Sequence, residues 1–132
     1  MKNQSGNFLK RSILTSSILL ALSSAQSAVI VADANCSLQD AITAANTDAI
    51  VNSCTAGDGD DVIELDSSID QFYANPLLAI PSVAEPGTQV GYPIIETHIT
   101  INGSNSLIQG PDSDNLRLLE LNSSGTLTRN GV

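Results

Sequence analysis

The sequence predicts an all-β chain of short stacked strands: a parallel β-helix (solenoid) start of about three rungs, closed by one short N-terminal α-helix. Three observations carry this expectation. After residue 61 the chain is a series of short aliphatic runs, each bounded by Gly, Asn, Ser, Asp or Pro. Its strongest runs alternate, so that Ile63 with Leu65, Ile99 with Ile101, and Leu119 with Leu121 each share a face. Only one segment, Ser37 to Asn46, has helical spacing instead.

Strands this short, with one aliphatic face each, do not make a stable sheet alone. Stacked as rungs, they would bury Ile63, Leu65, Ile99, Ile101, Leu119 and Leu121 in one column, with the turn clusters at the corners. The alternation of Ile99/Ile101 returns at Leu119/Leu121, a spacing within the range of solenoid repeats. A small β-sandwich uses short alternating strands too and is the structural alternative. Against it, two-residue hairpin turns between strong strands are scarce, Asn102-Gly103 coming nearest.

The elements follow in order. Lys2, Lys10 and Arg11 precede an apolar run from Ser12 to Leu22, and the stretch SSAQSA follows. Charged, apolar and small segments in that order are the pattern of a secretory signal peptide, read over residues 1–27 with its helix at 8–24. The apolar run is about half of the roughly 20 residues a membrane-spanning helix needs. Cleavage after Ala25 or after Ser27 leaves a small residue three positions back in either case. An uncut N-terminal anchor is the competing reading, and nothing downstream resembles a stop-transfer segment.

Residues 29–61 form a cap region. Val29-Ile30-Val31 is a first strand. Ser37 is an N-cap with Asp40 placed to complete a capping box, and Leu38, Ala41, Ile42 and Ala45 make one apolar stripe on a helix that fades between Asn46 and Ala49. A helix of this length is marginal alone and must lie on something apolar. Gly57 to Asp61 is a turn cluster that leads into Val62-Ile63-Glu64-Leu65. Residues 62–132 are the rungs. Between Gln71 and Pro93, four prolines (76, 81, 86 and 93) predict a loop-rich excursion, with Leu77 to Ile80 as a strand. The runs at Ile99, Leu107, Leu118 and Leu127 complete the series, which reads as truncated.

Fourteen acidic residues all follow the leader, where only Arg117 and Arg129 are basic, so the mature part carries a charge of −12. Phosphate backbones repel such a surface, which excludes nucleic acid as a partner class. Cys36 and Cys54 are an even pair in an exported chain and read as one disulfide. A metal pair or redox pair is the alternative, although the spacing resembles neither a C-x-x-C motif nor a zinc ligand set.

The block Cys36-Ser37-Leu38-Gln39-Asp40-Ala41-Ile42, followed by Ala45-Asn46, resembles the "CSLREAI…AAN" segment of secreted bacterial right-handed β-helix proteins. These include relatives of the polymorphic outer-membrane proteins and adhesin-like surface proteins. Residues 54–65 resemble that family's second cysteine, glycine-rich turn and first rung strand, and Ile99-Thr100-Ile101-Asn102-Gly103 resembles its "LTIDG"-type rung. Arg117-Leu118-Leu119 and Gly125-Thr126-Leu127-Thr128 resemble the next two. Gln39-Asp40 stands where Arg-Glu is commoner, and the chain stops at Val132 where the family runs on. The resemblance implies a right-handed coil whose open first end is covered by the helix, pinned by Cys36–Cys54. It implies export to the surface, periplasm or exterior of a bacterium, an adhesin-like or structural role toward an unknown surface ligand or carbohydrate, and self-association through an uncapped last rung. It also leaves, as a second function, a piece of a pectate-lyase-like carbohydrate-active enzyme lacking its catalytic rungs.

No catalytic set is read from the sequence. His98 is the sole histidine, and no G-x-S-x-G elbow, G-x-G-x-x-G or phosphate loop occurs. Asp112 and Asp114 sit in a turn where polar residues are the default. The one candidate ligand set is Asp58, Asp60 and Asp61, whose carboxylates in a glycine turn could supply hard oxygens to Ca²⁺; a solvated turn is the competing reading. No other cofactor is expected, and no transmembrane helix in the mature chain.

Overall fold

The computed structural model describes residues 26–69, 71–74, 79–110 and 116–132. The signal-peptide reading therefore falls mostly outside the described residues, as do Leu77, Leu78, Asp112 and Asp114.

The first strand, β1 (Val29–Ala32), leads into α1 (Leu38–Thr47), then β2 (Asp61–Leu65) and β3 (Gln71–Tyr73). Two short strands follow, β4 (Ile80–Pro81) and β5 (Gln89–Val90), then β6 (His98–Asn102), β7 (Leu107–Gln109), β8 (Leu116–Arg117) and β9 (Thr126–Asn130). One sheet has the order β1-β2-β6-β9 and is parallel throughout. Next to it in chain order, β3 pairs with β7 and β5 pairs with β8, both parallel. A parallel bridge joins Ile95 to Leu121. The antiparallel strand pair among the described residues is β4 with β5. Each later passage of the chain thus lays its strands beside those of the passage before.

Register explains the core. Ile30 pairs with Ile63, and Ile63 with Ile101, so three isoleucines of equal shape stack in line, each fully buried. Ala32, Leu65, Ile99, Phe72, Ala74, Tyr92 and Ile95 complete the apolar interior. β-Branched side chains suit this arrangement because their restricted rotamers pack well on a pleated surface. Tyr92 is buried whole, and its hydroxyl donates to Phe72 O at 2.9 Å, so its one polar atom has a partner.

The helix packs its apolar stripe against β1 and β2. Leu38, Ala41, Ile42, Ala44 and Ala45 are buried, and the three alanines let its backbone approach the sheet closely. Ser37 is extended at the N-cap; its hydroxyl oxygen accepts from Asp40 N at 3.1 Å, while its proton goes to Asp40 Oδ2 at 2.8 Å. The helix ends at Asp48 in the left-handed region, φ 49°, where its N–H donates to Ala44 O.

Two expectations are corrected. Leu119 and Leu121 do not repeat Ile99 and Ile101: in this sheet Ile99 pairs with Leu127 and Ile101 with Arg129. In the 118–121 segment Leu118 and Leu119 pack half-buried against the core, while the Glu120 carboxylate is buried and Leu121 is 43% exposed. The Gln71–Pro93 stretch is not only loop, since it contributes β3, β4 and β5, strands too short to show a period. Its Pro81 sits in β4, an edge strand, where the missing N–H leaves no ladder bond unmade. As the scarcity of hairpin turns suggests, Asn102-Gly103 closes no hairpin; the chain continues to β7, which joins a different sheet.

Candidate functional site

The region richest in functional groups is the start of β2 and the outward face of the large sheet. Gly57 to Asp60 turns the chain from the disulfide loop into β2. Asp61 organises that turn from inside: its Oδ1 accepts from Asp58 N at 2.8 Å and from Ala28 N at 3.2 Å. Asp61 is 1% exposed, and its Oδ2 has no hydrogen-bond partner among the described residues. Burial pushes its carboxyl above the usual carboxylate value, against the two backbone donors, and the nearby Asp48 and Asp58 push the same way. Gly57 is required for a steric reason: a methyl there would overlap Asp61 Oδ2 and lie 2.9 Å from both Ala44 O and Ala45 Cα.

Beside the turn, His98 Nδ1 and Asp60 Oδ1 lie 3.0 Å apart, both side chains exposed. They border a groove of about 270 Å³ that also receives Thr100, Thr126 and Thr128. Further along the same face, Asn102 Nδ2 donates to Glu64 Oε1 at 2.8 Å, and Asn130 Nδ2 donates to Asn102 Oδ1 at 2.8 Å. The face is therefore a set of hydroxyl, amide, carboxylate and imidazole groups on a rigid sheet. It suits hydrogen bonding to a polyhydroxylated surface. A second groove, about 450 Å³, has Val29 and Val31 of β1 on its floor and Asp33, Asn35, Ser53 and Thr55 along its rim.

The remaining sequence-predicted residues are placed as follows. Cys36 and Cys54 are joined, with Cα atoms 4.9 Å apart, and both are buried beside the start of α1. Of the calcium candidates Asp58, Asp60 and Asp61, the last two point in opposite directions. Among the described residues no three of these ligand types come together as a metal group, because Asp61 turns inward to backbone donors while Asp60 turns outward to His98. Asp60 is the partner the structure gives His98, through Nδ1.

Two sets of residues escaped sequence reasoning. Gln39 and Asn46, on α1, reach across to the segment before β6: Gln39 Nε2 donates to Gly91 O at 2.8 Å, and Asn46 Nδ2 to Ile94 O at 2.7 Å. Asn46 Oδ1 in turn accepts from Glu96 N at 2.9 Å. A buried Gln on the helix's otherwise apolar side was the available signal. Glu120 is the other. Its carboxylate accepts from Ser82 Oγ at 2.6 Å, Val83 N at 2.9 Å and Ala84 N at 3.1 Å, fixing the loop between β4 and β5. Those bonds, the Ser82 hydroxyl first, hold its carboxyl below the usual range. Arg117 pairs with Glu85 of the same loop.

Compared with protein-family models, with curated proteins and with solved structures, the chain matches none. Among the described residues no helix is long and apolar enough to cross a membrane.

Proposed function

We propose that this chain is an exported, non-enzymatic surface module of a bacterium, adhesin-like or structural, whose mature part opens a right-handed parallel β-helix. The observation that carries the reading is the order of pairing. The strands β2, β3 and β5 are followed by β6, β7 and β8, and each of the second set pairs in parallel with its counterpart in the first. A coil laid turn on turn produces that order, whereas a sandwich built of hairpins pairs neighbours antiparallel. The helix, tied to one passage by its apolar stripe and to the next by Gln39 and Asn46, serves as the lid over the first turn. An even cysteine pair, already bonded, suits an oxidising compartment. The polar outer face, with its threonine, asparagine and glutamate groups on a rigid sheet, suits binding.

Intact bacterial cells producing the full chain, treated with an external protease, test the reading. The mature chain should be shaved from the cell surface or recovered from the medium. A chain retained inside untreated spheroplasts rejects export. Release of unsaturated uronate from pectic polysaccharide by the purified protein would overturn the non-enzymatic assignment.

A further inference from the structure

The Asp61 carboxylate is buried, carries one oxygen without a partner, and has carboxylates rather than cations for neighbours. Asp48 stands at the end of α1 and Asp58 in the preceding turn; Asp60 and His98, next along, engage each other. A buried carboxylate in such company is costly unless a positive charge reaches it. The one group already on it from the N-terminal side is the backbone nitrogen of Ala28, 3.2 Å from Oδ1. Ala28 is held there independently, because its carbonyl accepts from Val62 N at 2.9 Å and β1 begins at the next residue. As a peptide nitrogen it brings one N–H and no charge. As a chain terminus it would bring an ammonium with three.

We propose that the Ser27–Ala28 peptide bond is the processing site of this chain, and that the α-ammonium released on Ala28 becomes the ion-pair partner of Asp61. The proposal rests on the export reading above. It selects between the two cleavage positions that the small-residue pattern allows, after Ala25 or after Ser27. Hydrolysis adds one water across the bond: Ser27 leaves as a carboxylate and Ala28 is left as the ammonium, with no other reactant. Cleavage after Ala25 instead would put the charge on Gln26, two residues beyond the carboxylate. Processing would then complete the fold, since the ammonium would bind the strand β1, the glycine turn and β2 together at one point.

The test has two arms. The full chain is produced in an exporting bacterium and the mature form weighed by intact-mass spectrometry; the mass should correspond to a start at Ala28. A start at Gln26, or a chain that keeps its first 27 residues, overturns the inference while leaving export to be decided by the protease-accessibility experiment above. In the second arm, protein starting at Ala28 is compared with protein retaining Ser27, each with Asp61 and with Asp61→Asn. The Ala28 start should melt higher by about 4 °C or more, as expected for one favourable ion pair in a domain of this size. That gap should vanish in the Asp61→Asn pair. Should Asp61→Asn fail to fold, acetylation of the Ala28 amine replaces it and should lower the melting point to that of the Ser27-retaining protein. Equal melting of the two starts with Asp61 in place overturns the proposal.

Discussion

The two outermost strands of the large parallel sheet, β1 and β9, are treated in opposite ways. On β1, Ile30 and Ala32 are fully buried under α1, which the Cys36–Cys54 bond fastens at its base. On β9, Leu127 takes the register position of Ile99 and Arg129 that of Ile101, yet Leu127 is only half-buried and Arg129 is exposed. A strand's own pattern therefore does not decide its burial; what lies beyond it does.

The comparison can be broken most directly in its isoleucine column. Ile63→Ala should lower unfolding free energy by about 2–5 kcal/mol, because the site is closed on all sides and leaves a cavity. Leu127→Ala should cost less than about 1 kcal/mol, since solvent already reaches that side chain. Denaturant titrations of the two variants measure both, and equal losses would show that β9 is as well covered as the interior strand β2. Next in size is the disulfide. Replacing Cys36 and Cys54 by Ser should cost about 3 kcal/mol in the chain-entropy account. Hydrogen exchange should accelerate in β1 and α1 and remain unchanged in β9.

Smaller effects sharpen the same contrast. Asn46→Ala strips partners from Ile94 O and Glu96 N beneath the helix and should cost about 1–3 kcal/mol. Asn130→Ala, on the open edge, should stay within about 0.5 kcal/mol. The weakest effect is expected at Glu120, which holds the loop between β4 and β5. Its carboxyl is held below the usual value of 4.5, so its contribution is fully present above that value and is lost as pH falls through the depressed one. Glu120→Gln should flatten that acid limb of a melting-temperature profile without changing its slope near neutrality.

Much of the first half was legible because its signals are local. The N-cap at Ser37, the stripe from Leu38 to Ala45 and the alternation in β2 and β6 each lie within a few residues of one another. The run at Leu107 was legible as a strand, but β3, β5 and β8 were opaque, since two or three residues show no period and their partners lie a full passage away. The last strand was found at Leu127, but its place opposite β6 was missed for a different reason. Aliphatic alternation pointed to Leu119 and Leu121, but the repeat that matters is polar: Ile99-Thr100-Ile101-Asn102-Gly103 recurs as Leu127-Thr128-Arg129-Asn130-Gly131. Threonine, asparagine and glycine persist because the outward ladder and the corner require them, and Gly131, at φ 69°, lies directly over Gly103 O. At the site, Asp61 was visible only as one more turn acid, because nothing local distinguishes an inward carboxylate from its exposed neighbours.

The amide chain along the outer face has a direction. Glu64 can only accept, so Asn102 must offer it an N–H and present its own oxygen to Asn130, which repeats the gesture. Asn130 is thereby left with its carbonyl oxygen toward whatever lies next. Any polypeptide that extends the sheet in register must bring a donor to that point, an amide, hydroxyl or amine; a carboxylate would meet oxygen with oxygen and be turned away.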